Sequence, residues 1–412
     1  MIPLFTSGVV SGARRRTAPA LVGFFATRPS AVASAGVISG FDTPEFDDGN
    51  FDASTGRYTV PLDGNYIVIS SGYPTGGLPR FTEFQIEPLI NGAARNQAKS
   101  GRSYSTAYTH GAHLTTVRII SLTAGDTIDI SCHNDNSENT FFGAFLLPTG
   151  SNAFSLQKLG ATHSGTYVTN YDNELVDEAS AADPTTGVWT CPEDGYYYLS
   201  FGFFPEGASP VMYDFYAVKN AGGTPENLTM IREDGGSPNY GSNVHSGYLG
   251  FFSVGDTVQI ENIDDASGDY AQTGHFSGFM VKDQTNVFRG EGASNETLGN
   301  NLTFTSTPPL DLASAWDNST GVWTCPASGL YMFNFFSDGV ESSGDNMKTS
   351  LIRNSDSKVI VFANVYRSSL SYRYGRGAFA LVECSAGETF HLVNENHVFV
   401  NDTGILNIAR VA

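Results

Sequence analysis

The sequence predicts an all-β protein made of three tandem β-sandwiches, and three observations carry that prediction. First, one phrase occurs three times, running from Asp52 to Gly64, from Asp183 to Gly195 and from Asp317 to Gly329. It reads Asp-x-x-Thr-Gly, then an aromatic residue and Thr, then Pro and a closing Gly. Second, each phrase leads into residues that alternate with period two: Tyr66-Ile-Val68-Ile-Ser70, Tyr197-Tyr-Leu199-Ser-Phe201-Gly-Phe203 and Tyr331-Met-Phe333-Asn-Phe335. Successive side chains of a strand point to opposite faces, so this is a strand pattern. Third, 45 glycines, 12% aromatic residues and only 16% charged residues describe short strands joined by tight turns, without capped helical periodicity.

The phrase glycines Gly56, Gly187 and Gly321 are 131 and 134 residues apart. A solenoid or propeller repeats every roughly 20–50 residues, so each copy here is long enough to close its own core. An Ala/Val-Gly-Asp/Glu-Thr turn keeps the same register at Gly125-Asp126-Thr127, Gly255-Asp256-Thr257 and Gly387-Glu388-Thr389. A closing strand follows each turn and carries a glycine among apolar residues, at Gly143, Gly278 and Gly404. The resulting division is an N-terminal arm at 1–19 and domains at 20–149, 150–284 and 285–412. The first strands are expected at Leu21–Ala26, from Phe154 and from Val287.

In the second and third copies aromatic residues occupy both faces of the long strand. One face then fills the sandwich and the other meets a neighbour. Tyr197, Phe201, Phe203, Tyr331, Phe333 and Phe335 are the expected packing residues between domains, around a shared centre that is greasy and dry.

Taken together, the phrase, the Gly-Asp turn and the terminal strand resemble the globular head of the complement q subcomponent, which is related to the tumour necrosis factor jelly roll. The resemblance runs three times, from about residue 20 to 412. No collagen-like stalk precedes the copies, Glu388 stands where Asp is usual, and the last strand lacks the usual aromatic. Such heads form trimers, so the resemblance implies three jelly rolls packed as an intramolecular pseudo-trimer. Three beads on a string is the alternative. Pro148–Ser151 and Lys282–Thr285 are short linkers that favour the first arrangement by raising effective concentration.

Chemistry is sparse. Cys132, Cys191, Cys325 and Cys384 lack metal-ligand spacing, and Cys191 and Cys325 replace Val60, as buried small hydrophobes would. No histidine recurs at a fixed repeat position beside a serine and a carboxylate, and there is no nucleophile elbow, phosphate loop or zinc helix. His110 and His113 form only a weak metal pair. The expectation is a protein that is not an enzyme and has no cofactor. Calcium is the ion to consider, on Asp42, Asp47 and Asp48 beside Glu45 and on Asp264, Asp265 and Asp269, although neither loop has a dedicated calcium spacing.

The formal net charge is −20, and the middle domain carries most of it, with four basic against eighteen acidic residues in 151–284. That surface repels phosphate backbones, which argues against nucleic acid. No apolar run reaches the roughly 18–20 residues of a membrane helix. Arg14, Arg15 and Arg16 could anchor the arm to an acidic partner. The loops Ala93–Tyr108, Thr224–Tyr240 and Ser355–Tyr374 differ among copies, basic in the first and third and acidic in the second.

The expected function is a non-enzymatic structural or attachment protein on a particle surface: a virion (phage) capsid-decoration, spike or tail appendage protein. Its arm would contact other virion proteins, and its loops a host glycan or receptor. The alternative is a secreted, extracellular complement-head-like or lectin-like recognition protein, glycosylated at Asn227, Asn295, Asn301, Asn318 or Asn401.

Overall fold

The computed structural model describes residues 21–29, 36–74, 84–94, 100–102, 114–133, 137–159, 165–204, 212–220, 223–234, 244–263, 273–292, 300–304, 307–340, 346–366, 373–394 and 404–412. All regular structure among them is antiparallel strand, and the same strand order occurs three times. In lobe 1 one sheet runs Leu114–Leu122, Gly64–Pro74, Ser137–Leu146, Gly23–Arg28, Phe46–Asp47. Lobe 2 repeats it as Val244–Phe252, Gly195–Phe204, Thr273–Met280, Phe154–Leu159, Asn173–Asp177. Lobe 3 repeats it as Arg373–Cys384, Gly329–Val340, Ile405–Arg410, Val287–Glu291, Leu310–Asp311. The first of each list is here called the edge strand, the second the long strand and the third the closing strand.

A second sheet faces each of these. In lobe 2 it runs Ala182–Asp183, Val188–Thr190, Thr257–Asn262, Met212–Lys219, Glu226–Asp234, and lobes 1 and 3 follow the same pattern. One bridge, Glu233 to Tyr374, joins the second sheet of lobe 2 to the edge strand of lobe 3.

The repeated phrase is a hairpin that locks itself. Gly187 N–H donates to Asp183 C=O at 2.7 Å, while the Asp183 carboxylate accepts from Thr185 N–H and the Thr186 hydroxyl, both at 2.8 Å. Asp52 and Asp317 hold their turns the same way, with Gly56 and Gly321 each donating at 2.8 Å. The side-chain bonds from Ser54, Thr186 and Ser319 keep these three carboxyls below the usual carboxylate range. The aromatic that follows, Tyr58, Trp189 or Trp323, is buried in its sandwich.

The phrase is also hydrogen-bonded to the second anchor, which explains their common spacing. Val60, Cys191 and Cys325 donate to Asp126, Asp256 and Glu388 and accept from Gly125, Gly255 and Gly387, at 2.7–2.9 Å. The four cysteines are buried and free, Cys132 and Cys384 within strands and Cys191 and Cys325 one residue past a strand end.

The turn glycine is required for two reasons. Gly187 has φ +73°, and a Cβ there would lie 2.2 Å from the Val168 carbonyl oxygen; Gly56 and Gly321 are placed alike. Gly255 has φ +88° but open space around it. Gly187→Ala is therefore expected to cost about 3 kcal/mol and Gly255→Ala about 1 kcal/mol, read as shifts in urea midpoints. Equal costs would contradict the steric reading.

The closing-strand glycines are not equivalent, contrary to the sequence register. Gly143 pairs with Ile69, whereas Gly278 pairs with Leu199, one step away. Gly404 precedes its strand. Gly143 and Gly278 instead each answer a local ring: a Cβ at Gly143 would meet Phe25 at 2.7 Å, and one at Gly278 would meet Phe154 at 2.7 Å.

Candidate functional site

The edge strand of an open sheet presents unpaired N–H and C=O groups, a template for unwanted pairing unless something covers it. Each lobe here is covered by the next. Val117 C=O on the lobe 1 edge accepts from the Ser200 hydroxyl of lobe 2 at 3.4 Å. On the lobe 2 edge, Asn407 of lobe 3 donates to Gly247 C=O at 3.0 Å and accepts from Leu249 N–H at 3.2 Å, and Arg289 donates to Leu249 C=O at 2.7 Å. On the lobe 3 edge, Gly377 C=O accepts from the Thr115 hydroxyl of lobe 1 at 3.1 Å. The covering goes round from each lobe to the next and closes.

Packing follows the same circuit. Tyr198 of lobe 2 meets Phe379 of lobe 3 with ring centroids 5.7 Å apart, and Phe141 of lobe 1 meets Phe362 of lobe 3 at 5.5 Å. The Arg289 guanidinium lies 4.2 Å above the Tyr248 ring. Glu45 of lobe 1 receives both Arg353 and Lys358 of lobe 3, and Asn65 of lobe 1 donates to Glu178 of lobe 2 at 2.8 Å. A single apolar cluster contains Ile67 and Ile119 of lobe 1, Tyr198 and Leu249 of lobe 2, and Met332 and Leu381 of lobe 3. Lys358 thus bridges lobes 1 and 3.

The residues expected between lobes need correction. Tyr197, Phe201 and Phe203 belong to the lobe 2 core, where Tyr197 packs on Trp189 and Phe203 stacks on Phe215. Tyr331 and Phe333 pack on Trp323, and Phe335 shares their face. The inter-lobe face of each long strand is the opposite one: Ile67 and Ile69, Tyr198 and Ser200, Met332 and Asn334. Period two means that a shift by one residue exchanges the faces.

The centre is also not uniformly greasy. Ser200 is 2% exposed, and its Oγ lies 2.8 Å from His245 Nε2 and 3.4 Å from His275 Nε2. The two imidazoles stack at 6.1 Å. Burial lowers the His245 pKa to about 3; burial first, then the Arg118 charge and then His245, holds His275 well below the ordinary range. Both rings are neutral at physiological pH. A serine and histidine at this distance are the start of a nucleophile–base pair, but that chemistry needs an orienting group on the far nitrogen and access for a substrate. Among the described residues His245 Nδ1 has no partner, and Ser200 is buried, so neither requirement is met here. Sequence reading missed it because the three residues lie on three strands.

The acidic loop of lobe 1 folds around itself. Asp48 Oδ2 accepts from Gly23 N–H and the Tyr58 hydroxyl, and its Oδ1 from the backbone and side chain of Asn50, at 2.9–3.0 Å. Asp47 Oδ1 accepts from Gly49 and Phe51 N–H. Asp42 is exposed, and Glu45 is taken by the lobe 3 cations. Among the described residues no three metal-ligating side chains converge. Asp264, Asp265 and Asp269, His110 and His113, and Arg14, Arg15 and Arg16 lie outside the described residues. Of the sequons, Asn318 is committed to Phe304 through both amide atoms, at 2.9 Å each.

A groove of about 210 Å³ opens between lobes 2 and 3, lined by Tyr216, Asn227, Met230, Glu291, Phe336 and Ile405 among others. Ligand pockets run to roughly 300–1,000 Å³, so this is a seam rather than a substrate site. Among the described residues no helix is long and apolar enough to cross a membrane.

No protein-family model matches the chain, and no curated protein matches it. One solved structure that does is the globular domain of a zebrafish complement 1qA protein. It shares 23% identity over 32% of this chain and 97% of that one, with a TM-score of 0.27. The fold of this chain stands on its own strand order: all-β, in jelly-roll sandwiches.

Proposed function

We propose that the chain is a non-enzymatic attachment protein of the virion surface, a single-chain counterpart of a complement-q-type trimer. The observation that supports it is the circuit of side chains that closes three lobes onto one another. A closed body of this kind is a rigid support, and rigid supports carry recognition on the loops between strands. Because the copies are covalently joined, the segments Ala93–Tyr108, Thr224–Tyr240 and Ser355–Tyr374, expected as loops but partly strands of the second sheets at Ala93–Ala94, Ser100–Arg102, Glu226–Asp234 and Lys358–Tyr366, can differ, which a homotrimer does not permit. Three different recognition surfaces then sit on one body, suited to a host glycan or receptor. The arm with Arg14, Arg15 and Arg16 supplies the attachment to other virion proteins. The step from jelly roll to virion is one of analogy, since this fold hosts many functions.

The test is quantitative mass spectrometry of purified virions, comparing the full chain with one lacking residues 1–19. The expected result is a fixed copy number matching capsid or tail symmetry, lost with the arm. Recovery only as secreted protein with glycan at Asn227 would replace this reading with that of an extracellular recognition protein.

A further inference from the structure

Arg118 occupies the lobe 1 edge strand, where its main chain pairs with Val68, yet its side chain is buried and its charge acts on His275 of the second lobe. It is 2% exposed, and among the described residues neither Nε nor Nη1 has a hydrogen-bond partner. Burial pulls its pKa down to about 9, with no acidic group contributing, so it remains charged at neutral pH. A buried cation without a counter-charge costs several kcal/mol even after relaxation.

The surface facing it is made of donors. The lobe 1 edge strand lies across Phe154–Leu159, Gly195–Phe204 and Thr273–Met280 of lobe 2, and the bond from Ser200 to Val117 fixes which face of that sheet it meets. Ser155 pairs with Ser277, which pairs with Ser200, and Gln157 pairs with His275 on the same face. All are buried, and among the described residues Ser155 Oγ, Ser277 Oγ, Gln157 Nε2 and His275 Nδ1 have no partner. Gln157 Oε1, the acceptor of its amide, is already used by Asn173. Two hydroxyls and an amide N–H₂ therefore share this junction with one guanidinium whose charge acts on His275, and each of the three can donate.

We infer that this junction of lobes 1 and 2 is a site for a monovalent inorganic anion of the halide class, held by Arg118 and by the hydroxyl and amide donors of Ser155, Ser277 and Gln157. One guanidinium balances one negative charge, whereas a divalent phosphate would leave a second charge buried without compensation. The anion joins two lobes, so its occupancy is linked to the stability of the whole body. The equivalent positions in the other lobes do without it. Tyr248 of lobe 2 stacks under Arg289, and Ala380 of lobe 3 carries no charge.

The test is thermal unfolding of the full chain at pH 7.5 in about 150 mM sodium chloride or sodium gluconate, for the wild type and Arg118→Met, with wild-type crystals grown in sodium bromide. Chloride is expected to raise the wild-type Tm by about 3 °C or more over gluconate, by mass action. Arg118→Met should lose that difference. Anomalous diffraction should place bromide beside the Arg118 guanidinium, a readout that holds even if the variant fails to fold. No bromide there, or a chloride effect that survives the substitution, overturns the inference.

Discussion

Replacing Asn407 with alanine is expected to destabilise the protein by about 4 kcal/mol, although the residue touches no solvent and lies in no lobe's apolar core. Its amide bonds three groups at once: Gly247 C=O and Asn334 Oδ1 as acceptors, Leu249 N–H as donor. Two of the three are main-chain groups of an edge strand, for which Asn407 takes the place of a neighbouring strand. Removing it leaves each buried without a partner, and each such group costs about 1–3 kcal/mol. Asn334 keeps its own bond to Ala378 C=O at 3.2 Å, so the damage stays at the lobe 2–lobe 3 seam. Urea denaturation measures the loss. A cost under about 1 kcal/mol would mean that water replaces the amide and that the seam is not dry.

The second large effect is acid lability well above the carboxylate range. His245, with its pKa near 3, and His275, also depressed, remain neutral in the folded chain and take up a proton near pH 6.5 when unfolded. The unfolded state therefore binds more protons, and stability falls as pH falls. The contribution is fully present above about pH 6.5 and is lost progressively toward pH 3. At pH 5 the neutral His245 imidazole accounts for about 2 kcal/mol of that loss, and His275 adds to it in the same direction. Urea titrations in gluconate buffer between pH 7.5 and 5 should show this slope, and His245→Gln should remove about 2 kcal/mol of the loss at pH 5. A flat profile would place the rings in contact with water.

The architecture was legible because its signals are local. The Asp-x-x-Thr-Gly turns, the positive-φ glycines and the Gly-Asp turn bonded to each phrase sit close in sequence or at fixed spacing, so three copies could be aligned by eye. The face of the long strand was not legible. Tyr197 and Tyr198 are adjacent, so alternation of apolar with polar gives no contrast at that point. The contrast appears only further along, where Ser200 and Gly202 share the face of Tyr198 while Phe201 and Phe203 share that of Tyr197. That polar parity marked the lobe boundary, because a face closed by hydrogen bonds to a neighbour's edge needs hydroxyls and amides. The polar centre itself was out of reach of spacing, since Arg118, Ser200, His245 and His275 come together from four strands in two lobes. The acidic loop misled for a related reason: carboxylates that cap turns and carboxylates that hold an ion look alike until their acceptors are counted.

The most direct test of the closed three-lobed body is small-angle X-ray scattering from the full chain in dilute solution. A compact chain of this length has a radius of gyration of about 22 Å, and the closed circuit of Ser200, Asn407 and Thr115 predicts a value close to that. Lobes strung apart on their linkers would give a value above about 30 Å, and that result would contradict the packing from which the function is proposed.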